Sequence, residues 1–196
     1  SAGISHVKTV AHRIKIPVSI SFNFNDLEEV AELAPFADKV CIPLDAAAEH
    51  IYSKVKKGSF RHRLNLIEDA ASRFPGKIST HLIAGIGERP QQMVSMFKHL
   101  KKLYVTVGLF AFTPIPKTAM GSWKAPDISY YRYLQAELYS LKHGKIGRRA
   151  FMTTGCKGCN RPYYNERPGG KIYNYPYLPA DDEHKRCEKE LSAYRG

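Results

Sequence analysis

Apolar residues fall at Ile4, Val7, Val10, Ala11 and Ile14, the spacing of one helical face, so the chain is expected to begin in a helix that Pro17 ends. From Val18 to Phe24 the pattern changes to β-branched and aromatic residues, which predicts a strand. Asn25 and Asp26 suit the cap of a short helix running to Leu33. Residues 38–44 read as a second strand, 46–74 as a helical region interrupted at Gly58, and 77–85 as a third strand. The stretch 90–103 places Met93, Met96, Phe97 and Leu100 on one helical face, and 104–113 is nearly continuous in apolar and aromatic residues, as a buried strand is. A loop over 114–126 leads to a last long helix over 128–143.

Strands and helices in alternation, with strands this apolar, predict an α/β fold whose parallel sheet is covered on both faces. About four βα units are present, too few to close a barrel with consistent strand number and shear. A chain that opens on a helix also implies a strand before it. The expected architecture is therefore a partial (β/α) barrel, whose exposed edge needs another segment or chain to cover it. From Lys145 the character changes: Gly, Pro, Tyr, Lys and Arg dominate, and apolar periodicity returns only in a short charged helix near Asp181–Tyr194. This divides the chain into a partial barrel over 1–144 and an irregular, Cys-containing C-terminal extension over 145–196. The extension has too little apolar sequence to fold on burial alone, so a metal is a candidate for ordering it.

Composition narrows the partners. The formal net charge is +12, with lysine and arginine clustered near 54–57, 98–102 and 142–149. Such a surface suits an acidic partner: an anionic cofactor, an acidic carrier protein or nucleic acid, although no RNA-recognition signature favours the last. No apolar run approaches the ~18–20 residues of a membrane span. Four cysteines in 196 residues do not make a secreted disulfide scaffold, so a reducing cytoplasm is expected.

The chemistry is expected at the carboxyl ends of the strands, where α/β proteins hold their ligands. Ile78–Glu88 runs from a buried strand into a loop with glycines at 85 and 87 and an acid at its tip, and glycine lets a ligand approach the backbone. Each such segment has a plainer alternative: Asp45 as the N-cap of a following helix, Gly85–Glu88 as a turn without a ligand, Phe110–Phe112 as barrel core.

Three segments, in order, resemble the radical S-adenosylmethionine (SAM) superfamily, in its biotin-synthase and lipoyl-synthase branch. Cys41-Ile-Pro-Leu-Asp45 is similar to the fourth strand, whose acidic residue contacts the SAM ribose. His81-Leu-Ile-Ala-Gly-Ile-Gly-Glu88 resembles the Gly-x-Ile-x-Gly-x-x-Glu of strand five, which lies beside the adenine. Phe110-Ala-Phe-Thr-Pro-Ile-Pro-Lys-Thr118 resembles the sixth-strand segment, which approaches the adenine through its main chain. The resemblance covers roughly residues 18–140 and implies Asp45, Ile83, Gly85, Glu88, Phe112 and Thr113 as SAM-binding residues. The chain departs from the pattern at His81, where the family has its first Gly, and at Pro43, where the branch often has a polar residue. The Cys-x-x-x-Cys-x-x-Cys triad that holds the SAM-cleaving [4Fe–4S] cluster does not occur, nor does the Gly-Gly-Glu-like segment of the second strand. This chain by itself is not expected to cleave SAM.

Cys156-x-x-Cys159 is the second signal, because thiolates at this spacing reach one metal in both zinc and iron–sulfur sites. Cys187 is a candidate third ligand, and His184 completes a four-coordinate zinc set. By resemblance to the lipoyl-synthase branch the same cysteines would hold an auxiliary [4Fe–4S] cluster that donates sulfur, and a free thiol pair is the remaining alternative. Asn160–Gly170 also resembles the C-terminal region of archaeal biotin-synthase-related proteins, some of which are two-component lipoyl synthases. Cys41, in a strand interior, reads as a small core residue.

The expected function is thus the C-terminal portion of a radical SAM enzyme that inserts sulfur at unactivated carbons, with a lipoyl-synthase-like role favoured. Its partners would be an acidic protein-bound acyl or lipoyl domain, or a small-molecule substrate, and a second chain supplying the missing half of the barrel. The alternatives are a non-catalytic partner subunit with a half-barrel and a structural zinc, and an RNA-modifying radical SAM protein.

Overall fold

The computed structural model describes residues 2–155 and 170–195. Helix α1 (Ala2–Arg13) leads into β1 (Ser19–Ser21), followed by α2 (Leu27–Leu33), β2 (Lys39–Cys41), α3 (Glu49–Val55), α4 (Phe60–Arg73), β3 (Ile78–Ala84), α5 (Pro90–Lys102), β4 (Thr106–Ala111), α6 (Ile128–His143) and α7 (Asp181–Ser192). The local signals act where expected. Asp26 caps α2 by accepting from the Glu29 amide, Ser59 does the same for α4 from His62, and Gly58, at φ +92°, separates α3 from α4. Pro35 converts the end of α2 into a 3-10 turn at Ala34–Phe36.

All four strands are parallel, in the order β1-β2-β3-β4. Each strand pairs with the next in sequence, so every crossover has the same sense and the helices gather on one face. That is the winding of a barrel, and the sheet is a partial α/β barrel. Ile20, Val40, Ile78, Thr80, Leu82, Ala84, Val107, Leu109 and Ala111 alternate onto the helix face and are buried. The opposite, inner face is mixed: exposed Ser19 and Ser21, half-buried Lys39, His81, Ile83, Thr106 and Phe110, and buried Cys41 and Ser79. Helices cover one face of the sheet, and on the inner face Cys41 and Ser79 are buried while Ser19 and Ser21 are exposed. Near-continuous apolarity arises because short strands run on into apolar residues that belong to their ends.

The two edges of the sheet differ. On β4, the Leu109 amide donates to Thr154 Oγ1 at 2.8 Å and the Leu109 carbonyl accepts from the Tyr131 hydroxyl at 2.8 Å, so the C-terminal extension and α6 together cover that edge. On β1, no hydrogen bond among the described residues reaches the backbone of Ser19 or Ser21 from the outer side. The extension is tied to α6 through Arg132, which is 1% exposed. Its guanidinium donates to Glu190 (2.8 Å), Gln135 (2.7 Å), and the carbonyls of Ile172 (2.7 Å) and Tyr173. Phe151, Tyr175 and Cys187 form a small apolar cluster of their own, joined by Ile172 and Leu191. Among the described residues no helix is long and apolar enough to cross a membrane.

Candidate functional site at the strand ends

Beyond β2 the chain stays extended to Leu44 and then turns sharply. Asp45 has φ +65°, and the Ala46 amide donates to the Leu44 carbonyl at 2.8 Å, closing a γ-turn of the strained positive-φ kind. The turn is held from β3: the Asp45 amide donates to His81 O and the Ile83 amide to Asp45 O, both at 2.8 Å. Helix α3 begins later, at Glu49, with Ala48 in the cap position, so Asp45 is not a helix cap. Its carboxylate meets Lys56 instead, with Oδ2 accepting from Nζ at 2.6 Å, while no hydrogen bond among the described residues occupies Oδ1. Asp45 thus carries about 1–3 kcal/mol of backbone strain while neither packing in the core nor capping a helix.

The loop after β3 is built around Glu88. Gly85 (φ +93°) and Gly87 (φ +107°) take conformations that other residues resist. The Glu88 carboxylate curls back to accept from the amides of Gly85 (2.7 Å) and Ile86 (2.9 Å), and from the Tyr130 hydroxyl (2.8 Å). Burial, then the adjacent Glu88 carboxylate, pushes the Tyr130 phenol far above its usual range, so it remains a proton donor. Glu88 therefore shapes the loop from within. Replacing it with Gln keeps the size but loses the charge-assisted bonds. We expect a fall of about 1–3 kcal/mol in unfolding free energy, read from a denaturant midpoint; no change would mean the loop holds itself.

Ile83 is half-buried on the inner face, and Phe112 extends the β3–β4 pairing through its amide to Ala84 O at 2.8 Å. Trp123, from the 114–126 loop, lies over Phe112 with ring centroids 6.0 Å apart. Thr113 follows, exposed at the mouth. Thus Asp45, Ile83, Gly85, Glu88, Phe112 and Thr113 do come together along the carboxyl ends of β2, β3 and β4. The strand-end rim also contains residues that motif reading missed. Arg63, 9% exposed at the top of α4, donates to Phe24 O (2.8 Å) and Asn23 Oδ1 (2.6 Å), and its buried Nε has no hydrogen-bond partner among the described residues. In the sequence Lys56 is visible only as one member of a basic cluster, and Arg63 only as a charge on an amphipathic helix.

The described residues fit one side of an adenosine site, with apolar Ile83 and Phe112, exposed backbone at Gly87, an open carboxylate oxygen on Asp45 and a cation in Arg63. They do not fit an iron–sulfur cluster at that rim. The described cysteines are Cys41, on the inner wall, and Cys187, fully buried in the second apolar cluster where burial raises its thiol pKa. Cys156 and Cys159 lie outside the described residues, and among the described residues no three His, Cys, Asp or Glu side chains stand close enough to hold a metal.

No family model matches the chain, and no curated protein does. Solved structures are similar to it. A crystal structure of HydG, a maturase of the [FeFe]-hydrogenase, aligns with a TM-score of 0.57 at 12% identity, over 69% of this chain and 34% of that one. The structure of the maturase HydG from Carboxydothermus hydrogenoformans aligns with a TM-score of 0.53 at 16% identity, over 74% of this chain and 38% of that one. The chain thus spans little more than a third of either HydG chain, and at these identities the likeness establishes the fold.

Proposed function

We propose that this chain forms one wall of the SAM site of a radical SAM enzyme. The observation that carries the reading is Asp45, held at φ +65° at the end of β2 with Oδ1 open, beside Ile83 and the Gly85–Glu88 loop. The barrel arc shared with HydG, a radical SAM maturase, supports it. Asp45 would accept from the ribose hydroxyls, Ile83 and Phe112 would flank the adenine, Thr113 would close the mouth, Gly85 and Glu88 would set the loop, and Arg63 would bind the carboxylate. In such enzymes SAM supplies a 5′-deoxyadenosyl radical once a [4Fe–4S] cluster reduces it. The described residues lack the donors for that cluster at the rim, so no cleavage step is assigned to them.

The finer reading is sulfur insertion of the biotin- or lipoyl-synthase type, with the lipoyl-like role favoured. Cys156, Cys159 and Cys187 would hold an auxiliary [4Fe–4S] cluster, or zinc. The stems on either side of the intervening segment support this, since Met152 and Tyr175 form a parallel bridge directly against the cluster that contains Cys187. An acidic acyl or lipoyl domain, or a small molecule, would deliver the substrate to the strand ends. The outer edge of β1, which no described residue pairs, favours a second reading, a partner subunit that completes another chain's barrel.

Trp123 is the sole tryptophan and sits on Phe112, so its fluorescence reports on the site. Titration with S-adenosylhomocysteine should change the emission saturably. Asp45→Ala should weaken binding at least tenfold, about 1.4 kcal/mol, while leaving the thermal midpoint within a few degrees. Equal affinity in both proteins would remove the ribose assignment, and no response at all would remove the SAM site.

A further inference from the structure

Two residues left over from the motif comparison meet on the inner wall. Cys41 reads in the sequence as a small core residue, and His81 as a departure from the strand-five pattern; neither is used in the adenosine site. They sit on adjacent strands, on the face away from the helices, with Cys41 Sγ 3.3 Å from His81 Nε2. We propose that Cys41 and His81 form a metal half-site, taking a soft divalent cation such as zinc or cobalt(II) and leaving its remaining positions to solvent or to a thiolate or sulfide ligand.

The donor types and the distance carry the assignment. Thiolate and imidazole are the pair that such cations prefer. A tetrahedral ion with metal–sulfur and metal–nitrogen bonds of about 2.3 and 2.0–2.1 Å separates its two donors by about 3.6 Å. The hydrogen-bonded pair therefore needs to open by only about 0.3 Å, within the reach of a small rotamer adjustment. Cys41 is 2% exposed and His81 is half-buried, so the sulfur is screened from bulk water while the imidazole borders the inner face.

The wall around the pair is shaped to hold that imidazole. Its ring stands edge-on to Phe110 with centroids 4.8 Å apart. Gly108 lies across the strand pair from His81, and a Cβ there would come within 3.1 Å of both His81 Cδ2 and a Phe110 ring carbon. Glycine at 108 thus leaves the ring the room it occupies. Lys39, on the same face, has its amine directed to Gly76 O and Thr106 Oγ1 (3.0 Å), towards the amino ends of the strands.

The test uses the whole chain carrying Cys156→Ser and Cys159→Ser, which removes the competing C-terminal pair. Anaerobic titration with cobalt(II) should produce a thiolate-to-cobalt charge-transfer band together with the visible bands of a four-coordinate ion. Adding Cys41→Ser or His81→Asn should weaken binding at least tenfold and, for Cys41→Ser, abolish the charge-transfer band. His81→Cys, which restores a soft donor at the same position, should recover a band at higher intensity, and circular dichroism confirms that each variant is folded. A charge-transfer band that survives Cys41→Ser, or its absence from the parent titration with cobalt in large excess, overturns the site. Because S-adenosylhomocysteine binding is read separately through Trp123, either result is independent of the proposed SAM wall.

Discussion

Replacing Arg132 by Met is expected to cost about 3–5 kcal/mol of stability, the loss typical when one partner of a buried charged network is removed. The residue is 1% exposed and joins α6 to α7 through Glu190, and to the 172–173 backbone through two carbonyls. Its guanidinium also lies 5.5 Å from the Phe151 ring and 5.7 Å from the Tyr175 ring, so it roofs the second apolar cluster. Without it Glu190 loses its hydrogen-bonded cation, and Ile172 O loses its donor. A chemical denaturation curve should show the lost stability, and limited proteolysis should cut near α7 first, because Arg132 ties that helix to α6 through Glu190. Arg132→Lys should rescue little, since an ammonium cannot span carboxylate, amide and two carbonyls at once. A loss below about 1 kcal/mol would mean that the aromatic cluster, and not the network, holds the extension.

Arg132 also illustrates where reading the sequence stops. The order of elements, the Asp26 cap, the break at Gly58 and the parallel sheet are all legible, because each depends on residues close in sequence. The strand-end positions are legible for the same reason: Asp45, Ile83, Gly85, Glu88, Phe112 and Thr113 sit at the ends of strands that local pattern reveals. The roles inside the site are not. Glu88 reads as a residue offered to a ligand, yet both carboxylate oxygens are turned onto its own loop, a contact that depends on Tyr130 arriving from α6, 42 residues away. Asp45 reads as a cap or a ribose contact, and its Lys56 partner arrives only because α3 and α4 are separate helices. Arg132 sits on a helix face that reads as solvated by charge alone. It is buried because the extension folds over it, and nothing in the residues around 132 announces that.

The same dependence on distant arrivals makes Gly85 the most sensitive position of the loop. With φ +93°, any side chain is strained there, and a Cβ would come within 2.8 Å of Pro126 Cδ and 2.9 Å of its Cβ. Gly85→Ala should therefore cost about 2–5 kcal/mol, combining backbone strain of about 1–2 kcal/mol with about 1–3 kcal/mol of overpacking. Gly87 separates the two contributions. It has φ +107° but no heavy atom within 4 Å of where a Cβ would stand, so Gly87→Ala should show the strain alone. Pairing Gly85→Ala with Pro126→Gly, which removes the ring atoms and Cβ alike, should recover the difference between the two glycine variants, a coupling of at least about 1 kcal/mol in a double-mutant cycle. If the cycle is additive, Pro126 does not clamp the loop. If it couples, the proline that ends the 114–126 segment fixes the backbone of the β3 loop, and the Trp123 response to S-adenosylhomocysteine should weaken in Gly85→Ala and return in the double variant.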